Sequence, residues 1–392
     1  MVAPASADRR VVQANRVIAQ TAYGVDWSKP DAHQLLTRRR FLETGLVAPL
    51  MLARSRQAVP SASRTFEIRV RVEFPNAEPP IRLWLPLALP RPAPYQRALS
   101  QTWTGNAATV ELYGDPASRA PMLIADWPKP VEAPTLTLTM RVATQGHRVP
   151  LDRPQAIRDV DERVDVFLRP TRMIPITGIV RDTAVKITRG HATPLARARA
   201  IYDWIVDNTF RDPTVKGCGL GDIRWMLESG SFGGKCADLN GLFVGLCRSV
   251  GLPARDLYGL RVGPSEHFQS LGPRNGDATT AQHCRAEVWV DELGWIPVDP
   301  ADVRKVVLEE EPIGTIDSPQ ARFARAQMFG SWEMNWIAFN DAHDVTLPGS
   351  KGPLLPFLMY PQAELRGVRR DSLDAPRFTY QIAAILVPGA IP

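Results

Sequence analysis

The tightest constraint on this chain lies between Gly233 and Pro300, where an apolar helix and a two-stranded hairpin each begin or end on a chemically active residue. Leu239, Leu242, Phe243, Leu246 and Val250 recur at helical spacing after Cys236, and Gly251 and Pro253 end the run. Cys247 lies on or near that stripe and reads as a packed thiol. Further on, Gln282 to Val290 reads as a strand, Asp291-Glu292-Leu293-Gly294 as a turn, and Trp295 to Pro300 as the return strand. His283 heads the first strand and Asp299 closes the second.

The spacing of these two residues makes a geometric demand. A two-residue turn at Glu292-Leu293 would place His283 and Asp299 on opposite faces, because side chains alternate along a strand. An odd-residue loop or a bulge, with Gly294 at positive φ, would bring both onto one face, expected to be the face turned towards Cys236.

The chemistry follows from position. A thiol at a helix start feels the partial positive charge of unpaired backbone N–H groups, and Lys235 adds a cation, so thiolate is favoured. The same N–H groups can donate to the oxyanion formed when sulfur attacks an acyl carbon. Gly233 and Gly234 are expected to let a substrate backbone approach. His283 supplies a base, and Asp299 a carboxylate to orient it. Singly, each has a plain structural reading: a core thiol, a satisfied histidine, an Asp-Pro turn. Together, in this order, they read as a nucleophile, its base and the acid that positions the base. Glu287 and Arg285 read as strand-face or substrate-facing groups, and Cys284 as a buried thiol facing away from His283. Cys218, between Gly217 and Gly219, is an inert loop thiol or a redox partner near the site. Trp204, Trp225 and Asn208 are pocket or oxyanion candidates that nothing ranks.

The segments "GGKCADLNGLFVGLCRSVGLPAR" and "HCRAEVWVDELGWIPVDP" resemble the cysteine, histidine and aspartate segments of the transglutaminase-like superfamily, in the family's order. The resemblance spans about residues 195 to 302 and implies an α+β fold with a papain-like core. It also implies Cys236 as nucleophile, His283 as base and Asp299 as orienting acid. Arg285 stands where an aromatic residue is common, which bears on the substrate pocket rather than on the three residues.

Around this core the chain divides into a leader over 1–63, a β-sandwich over 64–146, a catalytic domain over 150–319 and an extension over 320–392 expected to pack on the core. Phe66, Ile68, Val70, Val72 and Phe74 alternate with Glu67, Arg69, Arg71 and Glu73, as do Leu136, Leu138, Met140 and Val142 with their neighbours. Weaker runs at 81–85 and 110–113 complete an antiparallel sandwich. Thr193-Pro194 caps a helix carrying Leu195, Ala198, Ile201, Tyr202 and Ile205.

Charge and cysteine usage exclude several classes. Residues 1–63 hold nine basic and four acidic side chains, so they carry +5 of the net +6 and leave +1 for the rest. No basic stripe remains to track nucleic acid. The leader contains Thr37-Arg38-Arg39-Arg40-Phe41-Leu42 and a short apolar run from Gly45 to Leu52, which reads as a twin-arginine export signal into the periplasm or medium. Membrane retention would come only through an uncleaved signal. The four cysteines lack CxxC spacing and there is no x-D-x-D-G calcium loop, so no metal or cofactor is expected. The expected chemistry is thiol-mediated acyl transfer on a peptide or protein substrate, with water as the favoured acceptor. An amine acceptor, as in a protein-glutamine transglutaminase, and a non-catalytic scaffold remain the alternatives.

Overall fold

The alternating apolar positions from Phe66 to Val72 form a central strand of an antiparallel sheet in the computed structural model. The structure describes residues 63–114, 119–154, 164–273, 275–310, 312 and 314–388; the arginine motif and apolar run of the leader lie outside them. Strand β1 (Ser63–Glu73) buries Phe66, Ile68, Val70 and Val72, as the pattern requires. It is followed by β2 (Ile81–Pro86), β3 (Gln96–Gly105), β4 (Thr109–Tyr113), β5 (Met122–Trp127), β6 (Thr135–Gln145) and the short β7 (His147–Arg148).

The helical unit then runs α1 (Ile179–Thr188), α2 (Pro194–Asn208), β8 (Phe210–Arg211), α3 (Ile223–Ser229), β9 (Gly233–Gly234) and α4 (Cys236–Ser249). It continues with β10 (Ala254–Arg261), β11 (Gln282–Val290), β12 (Gly294–Val298), α5 (Pro300–Glu309), α6 (Pro319–Gln327), β13 (Ser331–Trp332) and β14 (Trp336–Asn340). Three strands close the chain: β15 (Gln362–Leu365), β16 (Val368–Arg369) and β17 (Tyr380–Leu386).

The sandwich is built from both ends of the sequence. One sheet has the order β17-β1-β6-β3 and the other β16-β15-β2-β5-β4. Val70 pairs with Ile382 and Leu83 with Ala363, so the last strands complete both sheets. Of the expected extension over 320–392, the described part up to 388 divides its service: β14 joins the helical unit's sheet, and β15 to β17 join the sandwich. The two units also share apolar packing, since Leu260, Val262, Ile337 and Phe339 belong to the sandwich core.

In the helical unit, Thr193 Oγ1 accepts from the Ala196 N–H at 3.2 Å and Pro194 occupies the first helical position, which starts α2. Helix α4 was expected to bury one stripe, but all of its residues are buried. It runs through the middle of the unit, with α1, α2, α3 and α5 around it and β10 and β11 on the remaining side. Each fully buried Leu or Phe there contributes roughly 1.5–3 kcal/mol. That burial anchors the helix start, and with it Cys236. Among the described residues no helix is long and apolar enough to cross a membrane.

Strands β12, β11, β10 and β14 form the unit's sheet in that order. Val290 pairs with Gly294 and Ala286 with Val298, so the hairpin loop is the three residues 291–293 and Gly294 takes φ 75°. An odd loop is what the spacing of His283 and Asp299 demands.

Candidate active site

The hairpin register brings the two expected partners together: His283 Nε2 lies 2.7 Å from Asp299 Oδ2. Both are buried, at 3% and 1% exposure. Asp299 does two jobs, because its Oδ1 also accepts from the Asp302 N–H at 3.1 Å and so caps α5. The apparent Asp-Pro turn is a helix cap whose free oxygen orients the imidazole. With Nε2 committed to Asp299, Nδ1 is the ring nitrogen left for the thiol.

Cys236 opens α4 beside His283, and both line a cleft of about 750 Å³. The face relation differs from the expectation. Cys284, Ala286 and Val288 pack with α4, so the helix-facing side of β11 is the cysteine's, and His283 belongs to the other register. Imidazole and sulfur meet at the amino-terminal end of β11, where Thr279 to His283 border the cleft. Cys284 therefore faces away from His283's side, as expected, and for that reason it faces Cys236.

Three thiols cluster here. The Cys218 thiol and then Cys284, together with the hydrogen bond and charge of His283, hold the Cys236 thiol well below its ordinary pKa despite burial, and the Cys218 S–H is shared with the Gln282 carbonyl at 3.3 Å. The neighbours move the other way. Cys218 is raised by its hydrogen bond to Cys236 and by burial, and Cys284 by burial first, so both stay protonated. Activation was expected from the helix start and Lys235; the two thiols and the histidine add to it, and Lys235 is not among the causes that lower the Cys236 pKa. Burial and Arg261 pull His283 down, but Asp302 and Asp299 outweigh them and lift it to about 9. The lowered Cys236 and the raised His283 both favour a thiolate–imidazolium pair.

Several supporting residues carry no motif. Asn240 donates from Nδ2 to the Cys284 carbonyl (2.8 Å) and to Asp299 Oδ1 (3.2 Å). Its Oδ1 accepts from the Ala301 N–H, so it ties α4 to the hairpin and to α5. Asp302 Oδ2 lies 3.4 Å from His283 Nε2, and its other oxygen pairs with Arg261. Asp238 accepts from the N–H groups of Lys235 (2.9 Å), Gly221 (2.9 Å) and Leu220 (3.1 Å), which binds the Cys218 loop to the helix start. The glycines before Cys236 serve the chain itself: a Cβ on Gly233 would meet the Phe210 ring at 2.6 Å, and one on Gly234 would meet Asp238 Cβ at 2.6 Å.

The remaining expected groups divide. Glu287 pairs with Arg255 at 2.7 Å, a buried strand-face ion pair. Arg285 is buried, with its guanidinium 3.7 Å from Asp299 and over the Trp336 ring at 5.0 Å. Burial lowers its pKa to about 10. Cys218 borders the cleft, whereas Trp204, Trp225 and Asn208 do not. Asn208 donates to the Trp204 carbonyl at 2.8 Å, and Trp225 is 55% exposed. Cys247 packs in the apolar core. His283, Asp299 and Asp302 offer ligand atoms within 4.8 Å of one another, but Arg261 and Arg285 already face the two carboxylates. That donor set fits an ion-pair network better than a dication.

Comparison with known proteins bears on the family and the fold. Residues 181–300 match the transglutaminase-like superfamily core. An uncharacterized protein of Haemophilus influenzae is 33% identical over 314 residues, covering 76% of this chain and 84% of that protein. The uncharacterized protein YebA of Bacillus subtilis is 27% identical over 128 residues, 31% of this chain but 17% of its own length. The crystal structure of a candidate cysteine protease from Cytophaga hutchinsonii superposes with a TM-score of 0.51 at 15% identity, covering 85% of this chain and 93% of that one. At that identity the likeness speaks to the fold alone.

Proposed function

This chain belongs to the transglutaminase-like superfamily, and from that premise we propose that it is an exported enzyme of thiol-mediated acyl transfer that hydrolyses peptide, isopeptide or amide bonds. The observation that carries the reading is the 2.7 Å contact of His283 with Asp299 beside a buried, pKa-lowered Cys236 in a cleft.

In this mechanism the Cys236 thiolate attacks the substrate's carbonyl carbon and the carbonyl oxygen becomes an oxyanion. The Ala237 N–H is already spent on the Cys218 carbonyl at 2.9 Å, so the Cys236 N–H is the helix-start donor assigned to that oxyanion. As the tetrahedral adduct collapses, His283 gives its Nδ1 proton to the departing amine and an acyl thioester remains. Neutral His283 then takes a proton from water, the resulting hydroxyl adds to the thioester, and collapse releases the acid and restores thiolate and imidazolium. Water is favoured over an amine because Arg211, Lys235 and Lys305 border the cleft and repel an incoming ammonium group.

The test is a screen of the purified protein against peptides and cell-wall fragments, with and without an added primary amine and with Cys236→Ala as control. Product mass distinguishes the acid from an amine adduct. The reading fails if no substrate turns over and Cys236 alkylates with the pH dependence of a free thiol. Export is proposed from Arg38 and Arg39. Fractionation of cells expressing the full chain, with both arginines intact or changed to Lys, tests it, and a cytosolic location in both cases overturns it.

A further inference from the structure

Charge in the cleft is arranged unevenly, and the imbalance lies beside the nucleophile. Arg211, Lys216, Lys235, Arg261 and Lys305 border it, against the carboxylates of Asp277 and Glu309. Two of these cations are accounted for: Arg261 pairs with Asp302, and Lys216 with Asp371 at 2.6 Å. The other three are only partly balanced: Lys235 feels Asp212, whose carboxylate already accepts from the Thr214 N–H at 2.8 Å and the Thr214 hydroxyl at 2.6 Å. Arg211 and Lys305 share the single carboxylate of Glu309, at 3.3 Å and 3.6 Å. Their side chains are only 16% and 17% exposed, so water screens them poorly. Lys235 makes no ion pair within 4.0 Å among the described residues, and it immediately precedes Cys236.

These three cations come from neighbouring elements. Arg211 of β8 pairs in register with Gly234 of β9, Lys235 is the cap of α4, and Lys305 lies on α5, which packs against β8. Burial first and then Arg261 lower the Lys305 pKa, with Arg211 a smaller cause, against the opposing pull of Glu309 and Asp302. The far side of the cleft is mostly uncharged, with Ser270, Thr279, Thr280 and Ser372. Its one carboxylate, Asp277, already accepts from the Thr279 N–H at 2.9 Å.

We infer that this wall is a recognition subsite for a carboxylate, so that the preferred acyl donor carries a negative charge close to its scissile carbonyl. The inference rests on the acyl-transfer reading for its meaning, but not for its test. A side-chain carboxylate and a free carboxy terminus offer the same chemistry, and peptides separate them.

Binding is measured by fluorescence anisotropy with the Cys236→Ala protein, which cannot turn over. The probes are four labelled peptides of one length: glutamate-containing and amidated, neutral with a free carboxy terminus, neutral and amidated, and lysine-containing and amidated. One or both of the first two should bind about 10- to 100-fold more tightly than the neutral amide, and the lysine peptide more weakly than it. The preference should shrink with added salt and fall about tenfold in Lys235→Gln and Lys305→Gln. Equal affinity for all four peptides, or a preference that survives both substitutions, overturns the inference. If the wild type hydrolyses substrates but treats acidic and neutral ones with equal kcat/KM, the subsite falls and the mechanism stands. If nothing turns over while Cys236→Ala still selects the acidic peptides, the subsite stands and the mechanism falls.

Discussion

Replacing Asp299 with Asn separates the roles combined in that side chain. The amide keeps one oxygen, and the N–H groups of Asp302 and Asn240, which now donate to Oδ1 at 3.1 Å and 3.2 Å, retain it. The NH2 group is then left facing His283 Nε2, which must become an acceptor. The imidazole proton moves to Nδ1 and points at the sulfur, so a neutral ring can no longer take a proton from water. In a comparable triad elsewhere this wrong tautomer costs about 10⁴ in kcat. A loss of about 10³- to 10⁴-fold, roughly 4–5.5 kcal/mol of barrier, is expected here.

The pH dependence should change with it. His283 rises from 6.5 to about 9 in the fold. At about 1.4 kcal/mol per pH unit this contributes about 3 kcal/mol of stability, fully present below 6.5 and lost as pH rises through 9. Asp302 and Asp299 both supply that support, so the Asn variant should lose about half of it at neutral pH, with little effect above pH 9. The assays are the pH profile of hydrolysis, iodoacetamide alkylation of Cys236 against pH, and denaturant melts at pH 6 and 9.5. An Asn variant within threefold of wild type, with the alkaline limb of its profile unmoved, would falsify the orienting role of Asp299.

Three shorter predictions test other parts. Cys218→Ala removes the largest influence lowering the Cys236 pKa, so the midpoint of Cys236 alkylation should move to higher pH; an unchanged midpoint rejects the role given to that thiol. In Gly259→Ala the new Cβ would stand 1.9 Å from the Ile337 carbonyl oxygen and 2.6 Å from the Trp336 ring, so strand β14 must shift. A loss of about 3 kcal/mol or more by urea melt is expected, and a loss below 1 kcal/mol counts against this packing. Burial raises Asp256 to about 7, which costs stability as pH climbs above its ordinary 3.8. Asp256→Asn should therefore melt higher than wild type at pH 8, with the gap closing towards pH 4; a lower melting temperature at pH 8 would contradict it.

What could be read from the sequence was whatever repeats locally or is forced by spacing. Strands β1 and β6 announce themselves by period-two alternation, α2 by Thr193-Pro194, and the odd hairpin loop by the parity of His283 and Asp299. Pairings across the length of the chain have no such signal. Nothing near Tyr380 to Leu386 says that these residues will lie against β1, more than 300 positions earlier. Asn240 could have been found, since it stands four residues after Cys236, on the same helix face one turn on, in an otherwise apolar run. Asp302, three residues after Asp299 at a new helix start, offered a similar hint. Cys218 was a candidate neighbour of the site that the sequence could not decide, and Arg261 gave no hint, because its relation to the site exists only after β10 has folded against it.

Taken together, these residues explain why the reactive protonation state is also the stable one. Buried in sequence are Arg261, Asp302, His283, Asp299 and Arg285, with Asp302 3.4 Å and Asp299 2.7 Å from the imidazole and Arg285 3.7 Å from Asp299. With His283 protonated, their charges alternate and sum to +1. The Cys236 thiolate supplies the missing negative charge, so the ion pair makes the buried cluster neutral. Neutral thiol with protonated imidazole leaves an excess positive charge, and thiolate with neutral imidazole an excess negative one; the neutral thiol–imidazole pair is also uncharged overall, and the two carboxylates against the imidazole favour the ion pair over it. Either imbalance is costly in such surroundings. Cys218 and Cys284 lend hydrogen bonds without competing, because burial and the adjacent thiolate both oppose a second anion. A thiol whose charge is set by this whole cluster does not depend on one neighbour alone.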